Sequence, residues 1–324
     1  MIKNVSIIGF GKLGLLHACL SNIFNKSKVV NIVESNFFLR MLLSIFLKKI
    51  NILKKINKNL VKNSDLIIIA TPPNTTPAIL KKLKYHKFKK SILIEKPGFT
   101  NLEKFKDNIK ILDSFDYVQF GFMYRYKKTF YYAKKLLKKN NFGQIKKVDC
   151  YAYVNQPIIE NQGWRSDPKK SGGGSLIVQG IHLIDILFYY FKDINIKSKK
   201  IKYYKSTKID LETTINCYNE NIKNILIKTS IIKKNFRKLE LKIKIYYQNA
   251  LLEIDDDKII IESNKKKKII YYFDLFKSSF YEIGDQSFSN QYEEFFYKNL
   301  SSKLNISHYE KVIKFISLIY EKRN

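Results

Sequence analysis

The segment Val5-Ser6-Ile7-Ile8 runs directly into Gly9-Phe10-Gly11-Lys12-Leu13-Gly14, a G-x-G-x-x-G motif. The apolar run before the motif predicts a strand, and Leu13 to Leu20 predicts a helix. Gly9 permits a tight turn, Gly11 leaves room for a pyrophosphate, and Gly14 lets helix and strand pack closely. Free N–H groups at the helix start attract an anion. The segment therefore predicts the first strand–turn–helix unit of a dinucleotide-binding fold.

An acidic residue follows the second predicted strand, Val29 to Val33. This residue, Glu34, comes 20 residues after Gly14. A carboxylate at that distance accepts hydrogen bonds from an adenosine ribose, which favours NAD over NADP. Two alternatives stay open: a solvated glutamate at a strand end, and neighbouring lysines that tolerate a 2′-phosphate.

Strands and helices alternate up to residue 121. The strand Ser64 to Ala70 ends in Thr71-Pro72-Pro73-Asn74, a loop at the carboxyl end where parallel sheets bind ligands. The other predicted elements are a helix from Pro77 to Leu83, a strand from Ser91 to Ile94, a helix from Leu102 to Phe115 and a strand from Tyr117 to Gly121. This alternation predicts an α/β Rossmann domain with a doubly wound parallel sheet over residues 1–121.

The pattern changes after residue 121. Segments from Lys146 to Val154 and from Asp193 to Phe273 are strand-like and polar at alternate residues, which predicts an antiparallel sheet with one solvated face. Asp255-Asp256-Asp257 predicts a turn without the ligand spacing of a calcium site. Two closing helices are predicted, from Ser289 to Leu300 and from Ser307 to Glu321. Residues 122–324 are assigned to a second domain.

Length and composition indicate a globular chain. At 324 residues and 45% hydrophobic content, about two domains with substantial cores are expected. No apolar run reaches the ~18–20 residues of a membrane span, and the most apolar stretch, Phe37 to Leu47, is interrupted by Arg40. Met1-Ile2-Lys3-Asn4 runs into the first strand without a visible secretory signal. We expect a cytoplasmic protein without a membrane partner.

Cysteine and charge content exclude further classes. Cys19, Cys150 and Cys217 form neither a disulfide framework nor a zinc pattern, so no metal is expected. The net charge of +32 comes from 55 lysines and 5 arginines spread along the chain. Nucleic-acid sites normally use arginine for bidentate and stacked contacts. We therefore expect no nucleic-acid partner, although the charge favours anionic substrates.

Glu95-Lys96-Pro97 directly follows the fourth apolar strand, so Lys96 projects from a carboxyl end toward the expected nicotinamide. An ammonium there polarises a hydroxyl or carbonyl oxygen. Glu95 is expected to keep that ammonium charged, and Pro97 to fix the turn. The alternative is a solvated lysine in a lysine-rich chain.

Gly172-Gly173-Gly174 introduces a predicted helix that carries His182. At 3.6 residues per turn, Ser175, Val178, His182 and Asp185 share one face. A histidine there accepts the proton that leaves an alcohol as its carbon gives up hydride. Asp185 is expected to orient the ring. The alternative is a hydrogen-bonded core histidine.

In combination these motifs resemble the Gfo/Idh/MocA oxidoreductases, the family of glucose-fructose oxidoreductase and inositol dehydrogenase. The resemblance covers nearly the whole chain and adds His17, Phe122-Met123-Tyr124-Arg125-Tyr126, Gly143 to Val148 and Gly163-Trp164-Arg165 to the motifs above. It implies a Rossmann domain followed by an α+β domain with a large open mixed, mainly antiparallel sheet. It further implies NAD(P) between the domains, a sugar or polyol over the sheet, and a homodimer or homotetramer.

The resemblance also implies site residues, with Lys96 and His182 as the catalytic pair. The candidate cofactor-binding residues are Gly9, Phe10, Gly11, Lys12, Leu13, Gly14, Glu34, Thr71, Pro72, Pro73, Asn74, Glu95 and Lys96. The candidate substrate-binding residues are Lys96, Arg125, Trp164, Arg165, Gln179 and His182. Arginine offers a planar fork and tryptophan a stacking surface for a sugar. A buried tryptophan that anchors a loop and an arginine in a salt bridge are the alternatives.

One position departs from the family pattern. Val178 stands where the family usually has an aspartate, one turn before His182, and valine cannot hydrogen-bond a hydroxyl or raise the basicity of a histidine. The sequence predicts an NAD(P)-dependent oxidoreductase that moves hydride between nicotinamide and a hydroxyl-bearing carbon of a sugar, sugar nucleotide or cyclic polyol. The alternative is a weakened or inactive dinucleotide-binding sensor or structural protein.

Overall fold

The computed structural model describes residues 2–24, 26–139, 142–156, 163–205, 207–236, 238–263, 266–271, 287–297 and 302–321. The chain forms two compact units. The first unit comprises Met1–Gly121 and Phe295–Glu310, and the second comprises Phe122–Glu294 and Lys311–Asn324. Residues 295–310 therefore belong to the first unit, whereas the sequence analysis assigned them to the second domain. An amphipathic terminal helix carries no local signal for the sheet against which it packs.

The first unit contains a six-stranded parallel sheet in the order β3-β2-β1-β4-β5-β6. Its strands are β1 (Lys3–Ile8), β2 (Ser27–Val33), β3 (Asn51–Leu53), β4 (Leu66–Ile69), β5 (Ser91–Ile94) and β6 (Tyr117–Phe120). Its helices are α1 (Lys12–Ile23), α2 (Phe37–Phe46), α3 (Lys58–Lys62), α4 (Thr76–Tyr85), α5 (Leu102–Lys106) and α6 (Ile109–Leu112). The order reverses between β1 and β4, which confirms the predicted doubly wound Rossmann sheet.

Continuous burial explains why the central strands consist of unbroken apolar runs. All four residues of β4 are at most 1% exposed, as are Ile92, Leu93 and Ile94 of β5. A parallel sheet covered on both faces requires such runs instead of alternation. These strands therefore form the core below the carboxyl ends that carry the candidate site.

The predicted helix from Leu102 to Phe115 is wrong in one respect, because the structure contains two short helices there. The Asn108 side chain donates from Nδ2 to the carbonyl oxygen of Lys104 at 2.8 Å, and its backbone N–H bonds Phe105 at 2.9 Å. Asparagine competes for backbone partners in this way and interrupts helices. The helix therefore ends after Lys106 and restarts at Ile109.

The second unit contains an eight-stranded sheet in the order β14-β13-β12-β11-β7-β10-β9-β8. The strands are β7 (Ile145–Tyr153), β8 (Asn195–Tyr203), β9 (Asp210–Tyr218), β10 (Ile225–Ser230), β11 (Glu240–Tyr247), β12 (Ala250–Ile254), β13 (Lys258–Ser263) and β14 (Lys266–Tyr271). Among the pairings of these described strands, the one between β7 and β10 is parallel and the others are antiparallel. The predicted mixed, mainly antiparallel sheet is confirmed.

The later helices are α7 (Lys128–Lys139), α8 (Pro168–Ser171), α9 (Ile181–Tyr190), α10 (Ser287–Tyr297) and α11 (Ser302–Tyr320). α10 begins two residues before the prediction, and its predicted end at Leu300 lies outside the described residues, as does the end of the predicted strand region at Phe273. α11 begins five residues before the prediction. The predicted turn Asp255-Asp256-Asp257 connects β12 and β13, where Asp255 Oδ1 accepts the Asp257 and Lys258 N–H groups.

One helical stretch among the described residues, Pro168–Tyr190, is long and apolar enough to cross a membrane by length and composition. The sequence analysis expected no apolar run of this length and named Phe37 to Leu47 as the most apolar stretch. Of its most apolar window, 83% is buried inside the protein. Such burial is the pattern of a core helix.

Two glycines of the first motif differ in the space that they require. A Cβ at Gly14 would overlap the carbonyl oxygen of Gly9, whereas a Cβ at Gly11 would meet no atom within 4 Å. We expect Gly14→Ala to lower the free energy of unfolding by about 2–3 kcal/mol, because the clash is with backbone. Gly11→Ala, the matched control at φ −73°, should change it by less than about 1 kcal/mol. Urea unfolding measures both; equal midpoints would contradict this packing.

Candidate functional site

The first half of the candidate site lies at the reversal of strand order in the first unit. Gly9 follows β1 at φ +90°, and a Cβ there would lie 2.6 Å from Thr71 Cγ2 and 2.8 Å from the Ala70 carbonyl oxygen. The glycine loop therefore packs directly on the loop after β4. Thr71 and Pro72 are half-buried, Pro73 is buried, and Asn74 is exposed. The sheet brings these predicted cofactor-binding residues together at one edge.

The glycine loop fits the pyrophosphate of a dinucleotide. Gly11 is the N-cap of the 12-residue helix α1 and has no side chain to cap the helix. The space beside its Cα, where a Cβ would stand, contains no other atom within 4 Å. Backbone N–H groups of a first helical turn and the helix dipole favour an anion at such a place. Lys12 and Leu13 form the first turn of α1.

Glu34 lies against the same loop. Its Oε2 accepts the Phe10 N–H at 2.9 Å and its Oε1 accepts the Asn36 N–H at 2.9 Å. Arg40 donates from Nη1 to the carbonyl oxygens of Glu34 and Ser35 at 3.0 and 2.6 Å. The acid therefore stands at the end of β2 beside the glycine loop, with an arginine in the same turn.

Glu95 fixes the backbone that carries Lys96. Its buried carboxylate contacts the His17 ring, with Oε1 2.8 Å from Nε2, and its Oε2 accepts the Lys96 N–H at 3.2 Å. A Cβ at Gly121 would lie 2.7 Å from Oε2, so the close approach requires glycine. The sequence analysis expected Glu95 to keep the ammonium of Lys96 charged; the contacts described for its carboxylate are with His17 of α1 and with the backbone of Lys96. The Lys96 side chain is half-buried.

Tyr309 of α11 forms hydrogen bonds with the turn that follows Lys96. Its hydroxyl donates to the Pro97 carbonyl oxygen and accepts the Phe99 N–H at 3.1 Å. Its ring stacks on Phe120 with centroids 3.8 Å apart, and burial raises its pKa. The Lys96–Pro97 peptide bond is cis. Sequence reasoning missed Tyr309, because 212 residues separate it from Pro97.

In the second unit, the three glycines bring the start of a helix onto β9. Gly172 has φ +85°, a Cβ at Gly173 would lie 2.5 Å from the Tyr320 hydroxyl, and one at Gly174 would overlap the Asp210 backbone. The glycines therefore serve close packing around Asp210 and Tyr320.

Asp210 is a fully buried carboxylate that accepts five hydrogen bonds. Oδ1 accepts the Gly174 N–H and the Tyr320 hydroxyl, both at 2.6 Å. Oδ2 accepts the hydroxyls of Ser175 and Thr213 at 2.6 and 3.1 Å and the Leu176 N–H at 2.8 Å. Burial and the carboxylate raise the pKa of Tyr320 well above its usual value. These bonds connect β9, α11 and the segment that leads to His182.

The segment before His182 is a π-helix, Ser175–Gly180, which continues into α9. A π-helix closes its turns over five residues, so the predicted α-helical face is wrong for its first members. Ser175 points at Asp210 and at Thr229, whose hydroxyl lies 2.9 Å away. Val178 is buried, and Gln179 donates from Nε2 to Gln156 Oε1 at 3.2 Å.

His182 and Asp185 both face the short helical turn Met123–Tyr126. The His182 ring is 2% exposed and lies 4.9 Å from the ring of Tyr124, centroid to centroid. Asp185 was expected to orient His182; the structure shows it paired with Arg125, whose Nε lies 2.9 Å from both carboxylate oxygens and whose Nη2 also donates. Burial lowers the pKa of Arg125, and Asp185 more than offsets this, so the net shift is upward.

Arg125 therefore matches the salt-bridge alternative of the sequence analysis. Phe122 and Tyr189 also lie beside its guanidinium, at 5.2 and 5.7 Å from the ring centroids. Arg165, in contrast, is exposed and lies 4.6 Å above the half-buried Trp164 ring. Trp164 and Arg165 thus form a cation–π pair, and no ion pair among the described residues includes Arg165.

Two protein-family models match the chain. One, described as "Oxidoreductase family, NAD-binding Rossmann fold", matches residues 3–120, and the other, "GFO/IDH/MocA C-terminal domain", matches residues 130–221. Among curated proteins, glucose-6-phosphate 3-dehydrogenase of Bacillus subtilis is 28% identical over 229 residues, which cover 68% of this chain and 63% of the relative. An uncharacterized Schizosaccharomyces pombe protein is 30% identical over 148 residues, 42% of this chain and 35% of its own length.

Solved structures share the fold. Levoglucosan dehydrogenase in complex with NADH and levoglucosan superposes with a TM-score of 0.80 at 15% identity and covers 99% of this chain and 98% of its own. The WlbA dehydrogenase of Bordetella pertussis, in complex with NADH and UDP-GlcNAcA, has a TM-score of 0.79 at 14% identity, with 99% and 96% covered.

The Tyr320–Asp210 hydrogen bond gives a direct test of the buried carboxylate. We expect Tyr320→Phe to lower the free energy of unfolding by about 1.5–3 kcal/mol, because the acceptor is charged. The matched control is Tyr190→Phe, whose hydroxyl donates to a neutral carbonyl, that of Phe130, at 2.8 Å. It should cost about 0.5–1.5 kcal/mol. Urea unfolding of both variants decides; a smaller loss for Tyr320→Phe than for Tyr190→Phe would refute the charged acceptor.

Proposed function

This chain belongs to the Gfo/Idh/MocA family of oxidoreductases, and we propose from that premise that it is an NAD(P)-dependent dehydrogenase or reductase acting on CH–OH groups. The substrate is a sugar, a sugar nucleotide or a cyclic polyol. The observation that supports this most directly is Lys96, fixed through Glu95 at the same sheet edge as the glycine loop that fits a pyrophosphate.

The residues of the first unit bind the dinucleotide in this proposal. The N–H groups at the start of α1 hold the pyrophosphate, and Glu34, beside the loop, accepts hydrogen bonds from the adenosine ribose. The carboxylate favours NAD. When bound, the nicotinamide supplies a two-electron acceptor for a hydride.

Two side chains act on the substrate in this proposal, His182 of the second unit and Lys96 of the first. The imidazole of His182 accepts the proton of the reacting hydroxyl, while the ammonium of Lys96 stabilises the negative charge that develops on the same oxygen. The carbon loses a hydride and becomes a carbonyl carbon, so one hydride and one proton leave the alcohol. His182 is 2% exposed, so its ring is held in place by the packing around it.

Relatives support a carbohydrate substrate. The names of the B. subtilis protein and of the two structures above refer to glucose 6-phosphate, levoglucosan and UDP-GlcNAcA. The exposed Arg165–Trp164 pair offers a charge and a flat ring to an anionic sugar. The excess of lysine over acidic residues also favours an anionic substrate through long-range attraction.

Val178 supports a second candidate function, a dinucleotide-binding protein without turnover. Its buried apolar side chain replaces the aspartate that the family usually has one turn before the histidine.

We further propose a cytoplasmic homo-oligomer assembled through the open sheet. Stacked Tyr151 and Tyr153, with Phe236 at their edges, form an aromatic cluster on that sheet that supports assembly.

The function is tested by the near-ultraviolet absorbance of reduced nicotinamide, with NAD or NADP and a panel of sugars, sugar phosphates, inositols and sugar nucleotides. We expect absorbance growth with at least one substrate and a preference for NAD. If NADH binds by calorimetry and no substrate gives turnover, the non-catalytic function is supported. In that case Val178→Asp should restore measurable turnover.

The roles of the catalytic pair are tested with the identified substrate. Lys96→Met and His182→Asn should each lower kcat by about 10²- to 10⁴-fold, because each removes a group that acts on the reacting oxygen. Lys89→Met, an exposed lysine before β5, is the control and should retain full turnover. Full turnover in both site variants would refute the assignment.

A further inference from the structure

Helix α2 of the first unit presents its apolar side chains outward. Six of them are 47–77% exposed: Phe37, Phe38, Met41, Leu42, Ile45 and Phe46. Leu43 is the buried residue of this helix. A surface helix of a globular protein normally directs such a stripe toward the core. We call these six residues the α2 face.

The α2 face is continuous. At about 100° per residue, its six side chains occupy one arc of about 180°, and Leu43 lies on the opposite side. The helix is fixed in this orientation, because Asn36 Oδ1 accepts the Leu39 N–H at 2.9 Å and Arg40 bonds two carbonyl groups that precede the helix. The apolar arc is therefore preformed on the folded unit.

All charged residues in α2 and in the segment that follows it are basic. Residues 35–64 contain Arg40, six lysines and no aspartate or glutamate. Four of the lysines, Lys48, Lys49, Lys54 and Lys55, are exposed in the segment that follows the helix. Among the ion pairs between described residues, none includes these four. Their charges remain available to an anionic surface.

We propose that α2 is an interfacial helix that docks this protein on an anionic membrane surface. Phenylalanine and leucine on one face with adjacent lysines are the chemistry by which a helix lies in the headgroup region of anionic lipid. A second copy of this chain fits less well, because a symmetric contact would bring the same unneutralised cations together. This docking requires no membrane span, and the expectation of no membrane partner rested on the absence of a span.

Sedimentation with vesicles tests the proposal. The full chain is mixed with phosphatidylcholine vesicles that contain about 30% phosphatidylglycerol and, separately, with pure phosphatidylcholine vesicles. Both mixtures contain about 0.1 M salt, at which charges more than about 10 Å apart are largely screened. We expect binding to the anionic vesicles at least about tenfold stronger than to the neutral ones. Phe38→Ser/Phe46→Ser should reduce the anionic partition at least about tenfold.

Two matched controls separate the α2 face from general charge and exposure. Tyr85→Ser removes another highly exposed ring, at 81% exposure in α4 of the same unit, and should leave the partition unchanged. Replacing Lys48, Lys49, Lys54 and Lys55 by glutamine should weaken binding more than the same change at Lys81, Lys82, Lys84 and Lys89, which are also exposed. Circular dichroism verifies that each variant is folded.

Four results would overturn the proposal. The first is no vesicle binding by the unmodified chain, and the second is binding that the two control variants reduce as much as the α2 variants. The third is a concentration-dependent oligomer that Phe38→Ser/Phe46→Ser dissociates in the absence of vesicle binding, which would assign the α2 face to a copy–copy contact. An acidic protein that binds the face while vesicles do not would likewise refute a lipid partner.

Discussion

The buried carboxylate of Asp210 constrains the second unit more than any other group that the structure describes there. A charge without solvent is costly unless hydrogen bonds replace its hydration, and five donors surround this carboxylate. Those donors come from three separate parts of the chain, so each part is held in register with the others. The segment that leads into His182 is one of them, and its wide π-turns follow from this attachment at one end and the α9 helix at the other.

The first unit applies the same principle to Lys96. Glu95 is buried with His17, and its second oxygen holds the backbone N–H of Lys96, while Tyr309 holds the turn that follows. The backbone of Lys96 at the sheet edge is therefore held by groups that the proposed hydride transfer does not use.

Local pattern was sufficient for five of the six strands of the first unit, for the glycine loop and for the position of Glu34, because burial, turn formation and periodicity act over a few residues; the three-residue strand β3 was not predicted. It was insufficient for Asp210 and Tyr309, whose partners lie 36 and 212 residues away in sequence. The π-helix was missed for a related reason: its geometry depends on Asp210 and not on the propensity of Ser175 to Gly180. The apolar stretch from Phe37 to Leu47 was noticed, but neither the helix α2 nor the outward direction of its side chains was predicted from it.

Arg125 and Val178 of the second unit affect the buried charge near His182 in different ways. Arg125 neutralises a carboxylate, whereas Val178 stands where a carboxylate would otherwise be. Arg125 satisfies the buried Asp185 with a planar fork, a geometry that lysine cannot supply, so this arginine is explained by packing even in a lysine-rich chain. An aspartate in place of Val178 would add a further carboxylate to the buried segment, at the desolvation cost that Asp210 and Asp185 offset with several donors each. Valine removes that cost and with it a negative charge that would favour the protonated imidazole.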